Sequence, residues 1–199
     1  MMILIVDVGS SSTRAILYQQ SKDGVVAVID SIVRQTYQFD TDKSGQAVID
    51  AVQLRYWVEA CIDQCLAHDA IQDNNIVAVG MTTFAGNLLL LDADNHPLIP
   101  LDTYADTRST DYIADLSSQV DVSAHHQRTG TLLTSAYYLP KLRYHAQTIA
   151  QSSVTTVCDF ATYCYRHWFR DATPMSYSMA SWSGMLNRET LTWDTASVT

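Results

Sequence analysis

Ile3-Leu4-Ile5-Val6-Asp7-Val8-Gly9-Ser10-Ser11-Ser12-Thr13-Arg14-Ala15-Ile16-Leu17-Tyr18 holds two short apolar runs with a polar turn between them. Runs of this length, rich in β-branched residues, read as strands, here over 3–7 and 13–19. The turn carries a carboxylate, a glycine, four hydroxyls and a guanidinium. That set suits a phosphate. Gly9 lets the backbone approach an anion closely, and successive N–H groups with short hydroxyls can line a concave nest. Asp7, at the strand end, is the residue type that holds a hydrated Mg2+. A Walker A loop needs Gly-Lys-Ser/Thr before a helix, and a dinucleotide fingerprint needs G-x-G-x-x-G before a helix. Here there is one glycine, no lysine, and the strand pattern resumes. An ordinary polar β-turn is the alternative reading of the same eight residues.

Working outward, the composition sets broad bounds. The 199 residues are 47% hydrophobic and 17% charged, which describes a folded chain of one domain or slightly more. The net charge of −9 and pI near 4.8 disfavour nucleic acid or an anionic membrane as partner, since both need clustered Lys and Arg. No apolar run reaches membrane-spanning length, and no basic stretch precedes a signal-type apolar core. The expected compartment is the cytoplasm. Four cysteines, Cys61, Cys65, Cys158 and Cys164, lack CxxC or histidine-ligand spacing. They are expected to pack as buried thiols, and no zinc site is expected.

Along the chain, Gln20-Ser21-Lys22-Asp23-Gly24 carries an Asp-Gly turn signal. A third strand is predicted over 25–33, completing an antiparallel meander. Residues 37–46 read as loop. A long helix is predicted over 47–68, from the three- and four-residue steps of Val48, Val52, Trp57/Val58, Cys61/Ile62 and Cys65/Leu66. It breaks at 69–75. Ile76-Val77-Ala78-Val79-Gly80-Met81 reads as a strand buried on both faces, in a parallel position after a crossover helix. Leu88-Leu89-Leu90-Leu91 is another strand, ended by a turn at 92–97. Helices are predicted at 109–119, 137–150 and 157–169, with loop across 121–135 and loops with short strands over 178–194. The order β-β-β-α-β gives a mixed α/β class and excludes a doubly wound sheet built only from βαβ units.

Several segments, in order, resemble the FGGY family of carbohydrate kinases, which includes glycerol kinase, xylulokinase and gluconate-type kinases. Asp7-Val8-Gly9-Ser10-Ser11-Ser12-Thr13-Arg14 resembles the D-x-G-T/S-T/S-S-x-R phosphate turn. Tyr37-Gln38-Phe39-Asp40-Thr41 is similar to the segment before the first long helix, and Val79-Gly80-Met81-Thr82-Thr83-Phe84 to the strand entering the sugar site. Leu91-Asp92-Ala93-Asp94-Asn95-His96-Pro97-Leu98 resembles an LLDADGxPL hairpin. Tyr104-Ala105-Asp106-Thr107-Arg108 resembles W-x-D-x-R. Thr129-Gly130 with Pro140-Lys141-Leu142, and Ala180-Ser181-Trp182-Ser183-Gly184 before Trp193, complete the series. The resemblance covers essentially the whole chain.

It implies an RNase H-like fold of the actin/hexokinase/heat-shock ATPase superfamily, a mixed sheet with flanking helices. This chain would be the N-terminal domain, residues 1–199, of a two-domain kinase. It implies ATP and Mg2+ as cofactors, with Asp7, Gly9, Ser10, Ser11, Ser12 and Arg14 as nucleotide and phosphate contacts and Asp7 near the metal. Phe84, Tyr104, Asp106 and Arg108 carry over to the substrate side. For Asp106 and Arg108 the alternative is an exposed ion pair at a helix start, with Asp106 as cap. Tyr104 stands where tryptophan is usual and could stack on a sugar or pack in a core. Lys141 is a site residue or an amphipathic lysine on a helix face.

Phe84-Ala85-Gly86-Asn87 departs from the family patterns, lacking the charged pair or histidine found there. Phe84 leans toward the gluconate type, and the substrate class stays broad: a sugar, polyol or sugar acid. No GGGDNA-type stretch bearing a catalytic base occurs, so the base and the adenine-binding segments are expected beyond Thr199, and the 199 residues alone are expected to be inactive. The alternative is a non-catalytic ligand-binding or assembly module on the same scaffold. The expected partner is a small carbohydrate, with a homodimer conceivable through an open sheet edge. His125-His126 reads as a solvated surface pair.

Overall fold

The computed structural model describes residues 1–71, 75–170 and 173–198, with nothing said of the Val198 side chain. In chain order the elements begin with strands β1 (Met2–Val8), β2 (Ser12–Ser21), β3 (Gly24–Ala27), β4 (Val33–Thr36), β5 (Asp40–Thr41) and β6 (Ala47–Ile49). Helix α1 (Ala51–Leu66) and strands β7 (Ile76–Thr83), β8 (Leu89–Leu91) and β9 (Leu101–Asp102) follow. Then come α2 (Tyr112–Gln119), α3 (Val122–Thr129), α4 (Tyr138–His145), β10 (Thr156–Cys158), α5 (Phe160–Phe169) and α6 (Tyr177–Trp182). The hairpin β11 (Leu186–Asn187) and β12 (Thr192–Trp193) and helix α7 (Thr195–Val198) end the chain. These form two compact units, 1–39 with 50–84 and 40–49 with 85–199.

The first unit is a five-stranded sheet with α1 packed on it. β1 is antiparallel to β2, with Asp7 opposite Arg14, and parallel to β7, with Asp7 opposite Thr82. Even-numbered Met2, Leu4, Val6 and Val8 are buried, while Ile3, Ile5 and Asp7 are half-buried. This is the two-residue alternation of a sheet with one covered face. Leu54, Val58, Cys61 and Cys65 of α1 are buried at three- and four-residue steps, and α1 lies against β1, β2 and β4. Burying each large apolar side chain there contributes about 1.5–3 kcal/mol.

The predicted third strand is two strands. β3 pairs with residues 18–21 of β2, and β4 pairs with residues 12–15 of the same strand. Between them Ile29–Ser31 forms a single 3-10 turn. Ser31 makes the break tolerable, because its Oγ accepts the Leu17 N–H at 2.9 Å and its hydroxyl donates to the Val28 carbonyl at 2.6 Å. The predicted helix over 47–68 also divides. Ala47–Ile49 pair with β5 and β9, and Asp50 caps α1 by accepting the Gln53 N–H at 2.8 Å. β7 is parallel to β1 as expected, but it is not buried on both faces: Val77 and Val79 are 52% and 63% exposed.

The second unit centres on Leu88, Leu90, Ile99 and Tyr138, with Leu98, Leu142 and Ile149 packed around them. Asn87 ties this core together. Its side-chain oxygen accepts the Phe160 N–H at 2.7 Å, and its carbonyl accepts the Tyr138 hydroxyl at 2.7 Å. Residues 121–135, expected as loop, contain α3. Asp121 caps it by accepting the Ala124 N–H, and Gly130 closes it at φ 76°, a left-handed angle that favours glycine. The helix predicted over 109–119 starts at Tyr112, that over 137–150 spans Tyr138–His145, and that over 157–169 begins after β10 with Asp159 as cap. The 69–75 break begins with a 3-10 turn at Asp69–Ile71; its residues 72–74 lie outside the described residues. No helix among the described residues is long and apolar enough to cross a membrane.

Candidate functional site

In the first unit the β1–β2 turn is built from the backbone outward. The Gly9 N–H donates to the Ser12 carbonyl at 2.9 Å, and the Ser11 carbonyl accepts the Tyr37 N–H at 3.0 Å. Among the described residues, the N–H groups of Ser10 and Ser11 have no acceptor in the chain. Ser11 is exposed and Ser10 half-exposed, whereas Ser12 is buried. Two adjacent unspent donors at a solvent-facing tip are the kind of group from which backbone anion sites are built. Arg14 Nη2 donates to Asp7 Oδ2 at 2.5 Å, with both side chains partly exposed. Asp7 Oδ1 has no partner among the described residues, so one carboxylate oxygen stays available to a cation.

Tyr37 holds this turn in shape. Its hydroxyl donates to the Gly9 carbonyl at 2.5 Å, and its ring stacks on Trp57 of α1 at 5.6 Å and 8°. Burial, then the nearby Asp7 charge, pushes the Tyr37 phenol far above its ordinary range, so it stays a donor at any working pH. The sequence reading placed Tyr37 before the helix and assigned it no part in the turn. The only available signal was an aromatic residue with a hydroxyl close to the turn's strand partner β4.

Of the four residues carried over to the substrate, Phe84 lies in the first unit, half-buried, with its ring 5.6 Å from Phe39. The other three lie in the second. Tyr104 is 47% exposed. Asp106 is 2% exposed, so the pair it forms with Arg108 is buried and not the exposed pair of the alternative reading. Asp106 Oδ2 accepts the Ala47 N–H at 3.0 Å, and Arg108 Nε reaches Oδ2 at 2.9 Å and Oδ1 at 3.1 Å. Arg108 Nη2 also bonds Asp102 Oδ1 at 2.9 Å, and its guanidinium lies 5.1 Å from the Tyr144 ring centre.

The structure joins three residues to this pair. Asp102 is 1% exposed, and His145 Nε2 lies 2.6 Å from its Oδ2. Lys141 is 1% exposed and donates from Nζ to the Thr103 carbonyl at 2.5 Å. This buried place overturns the reading of Lys141 as an amphipathic lysine on a helix face. Burial lowers its proton affinity, and the Asp102 and Asp106 charges oppose that loss. For Arg108, burial acts in the same lowering sense, but the bonds to Asp106 and the charge of Asp102 outweigh it and hold the guanidinium charged. The two carboxylates, Asp102 and Asp106, face the Arg108 and Lys141 cations, and pairing of this kind is the condition under which buried charges are tolerated.

His125 corrects the reading of a surface pair. It is 1% exposed, with Nδ1 3.1 Å from Ser197 Oγ and Nε2 3.4 Å from Thr129 Oγ1. Its neighbour His126 is exposed, as expected of a helix only half covered. Asp92, Asp94 and His96 bring three ligand-type atoms within 4.8 Å. Asp92 Oδ1, however, accepts the N–H groups of Asp94 and His96, so the grouping is the geometry of the turn itself. The four cysteines are buried and form no disulfide.

The model of the FGGY family of carbohydrate kinases, N-terminal domain, matches residues 2–198. The chain is 25% identical to a gluconokinase from Bacillus subtilis over 194 residues, 96% of this chain and 36% of that protein. It is also 25% identical to a glycerol kinase from Synechocystis over 202 residues, 96% of this chain and 39% of that protein. Among solved structures, a xylulose kinase from Rhodospirillum rubrum superposes with a TM-score of 0.89 at 22% identity, covering 100% of this chain and 40% of that one. The chain therefore spans about two fifths of the length of these relatives.

Proposed function

The chain belongs to the FGGY family of carbohydrate kinases, and from that premise we propose that it supplies the phosphate turn and part of the sugar site for ATP-dependent phosphorylation of a sugar, polyol or sugar acid. The observation that carries the proposal is the pair of unspent N–H groups at Ser10 and Ser11, beside a carboxylate with one open oxygen. Phosphoryl transfer asks mainly for positioning and charge neutralisation, and the chain's own residues offer both. Ser10 and Ser11 donate to phosphate oxygens. Asp7 Oδ1 would hold the cation, while Arg14 fixes the carboxylate from its other oxygen. Mg2+, when bound with ATP, neutralises charge on the transferring group. Tyr37 keeps the turn from collapsing onto the anion site.

For the substrate we assign Phe84 in the first unit and Tyr104 and Arg108 in the second, Arg108 being the least buried member of the charged cluster. Asp106 contributes by holding Arg108, and as a substrate ligand would act through that guanidinium. Both Asp106 oxygens are filled, so it is a poor base. The alternative reading, a module that binds without transferring, describes what we expect of these 199 residues taken alone. Free thiols and an acidic surface support a cytoplasmic setting.

The test is ADP release by the whole protein that carries this chain, with gluconate, xylulose, ribulose and glycerol supplied singly. Turnover with one of them is expected. No turnover with any overturns the substrate class.

A further inference from the structure

Arg14 on β2, Asp7 on β1 and Thr82 on β7 form one row across the sheet. Residues directly opposite in neighbouring strands place their side chains on the same face. Gly80 and Ile5 mark that face two residues earlier in the same register, since a Cβ on Gly80 would lie 2.9 Å from Ile5 Cδ1. The row sits at the carboxyl ends of the two parallel strands, where open α/β sheets receive ligands. The Phe84 N–H, donating to the Val8 carbonyl at 2.8 Å, carries the pairing past Thr82 and holds it in place.

The two sides of Asp7 differ. On the β2 side Arg14 occupies Oδ2. On the β7 side stands Thr82, exposed, with no hydrogen-bond partner for its hydroxyl among the described residues. Neighbouring strands lie about 4.8 Å apart, and Mg2+ keeps several waters about 2.0–2.1 Å from the ion. A water on an ion held at Asp7 Oδ1 would be close enough for a hydroxyl one strand away to receive it. Outer partners of a metal's ligands help to orient them, and losing one typically costs about 10–100-fold in metal affinity.

We infer that Thr82 is a positioning residue for the cation: its Oγ1 accepts a hydrogen bond from a water of the Mg2+ held at Asp7. This rests on the proposed role of Asp7, and the experiment separates the two. Binding of inorganic pyrophosphate to the protein is measured by titration calorimetry with and without Mg2+, for the wild type, Asp7→Asn, Thr82→Val and Thr82→Ser. Valine keeps the shape and strand preference of threonine, and circular dichroism checks that each variant is folded. The expected result is a Mg2+-dependent gain in affinity that Asp7→Asn abolishes, Thr82→Val reduces about tenfold and Thr82→Ser retains, with metal-free binding equal in wild type, Thr82→Val and Thr82→Ser. If Asp7→Asn loses the gain and Thr82→Val keeps it, the role of Thr82 is overturned and that of Asp7 stands. If Thr82→Val weakens binding equally with and without Mg2+, Thr82 is structural and the inference fails. If the wild type shows no Mg2+-dependent gain, the role of Asp7 falls and takes that of Thr82 with it.

Discussion

The tip of the β1–β2 turn and the cluster around Arg108 are both polar, and both stood out in the sequence, yet they are opposites. At the tip, Ser10 and Ser11 keep two N–H groups with nothing in the chain to receive them. In the cluster, Asp106 spends its oxygens on Ala47, on the Arg108 backbone and on the Arg108 guanidinium, and Asp102 spends its own on Arg108 and His145. One region has valence left over for a ligand. The other has turned its charge inward, and its first use is structural. Residue type marks both as polar sites, but only the first keeps unspent hydrogen-bond donors, which is why the proposal places the anion there.

The largest break in that contrast comes from Arg108→Ala. It leaves Asp102 and Asp106 in the interior facing fewer cations, and removing one partner of a buried ion pair costs about 3–5 kcal/mol. Urea unfolding should show a loss of that order, with pyrophosphate affinity at the turn in the folded variant nearly unchanged. An Arg108→Ala protein of wild-type stability would mean that the cluster is not the closed network described.

Tyr37→Phe tests the other side at lower cost. It removes the donor to the Gly9 carbonyl and keeps the ring on Trp57. Losing a partner from a partly buried carbonyl costs about 1–3 kcal/mol. Here the expected pattern is reversed: weaker pyrophosphate binding along with a modest stability loss. Unchanged affinity would show that the turn keeps its shape without Tyr37.

The strand pair, its turn and the parallel β7 were legible because alternation and apolar runs are local signals. Boundaries were less so. Ser31 replaces a backbone partner of Leu17 with a hydroxyl, so a run of valines and isoleucines that reads as one strand is two. Ala47–Ile49 share the apolar steps of α1, and only the Asp50 cap, a polar signal one residue long, separates strand from helix. α3 was missed because Val122-Ser123-Ala124-His125-His126-Gln127-Arg128-Thr129 has almost no apolar stripe. Its evidence is at its ends, in Asp121 and Gly130. Lys141 and His145 were out of reach for another reason: nothing in the sequence near either names Thr103 or Asp102 as its partner.

His125 gives a smaller effect with a definite sign. Burial, reinforced by Arg128 and His126 and opposed by Asp194, lowers the proton affinity of its imidazole below the ordinary value of 6.5. As pH falls through 6.5, the unfolded chain takes up a proton that the folded chain refuses. Stability from this group is therefore present above 6.5 and is lost on acidification down to the folded value. His125→Asn should flatten that part of the stability–pH curve. An unaltered slope would mean that another group produces it.

The smallest expected effect decides what kind of site the tip is. Ser11→Ala removes an exposed hydroxyl, and such surface changes usually fall within about 0.5 kcal/mol in stability. If the anion is held chiefly by backbone donors, the N–H of residue 11 survives the substitution, and pyrophosphate affinity should drop by less than about threefold, equivalent to roughly 0.65 kcal/mol. A loss of tenfold or more would assign the binding to the hydroxyl. The tip would then resemble the Arg108 cluster more than it differs from it, with side chains and not free backbone amides carrying the work.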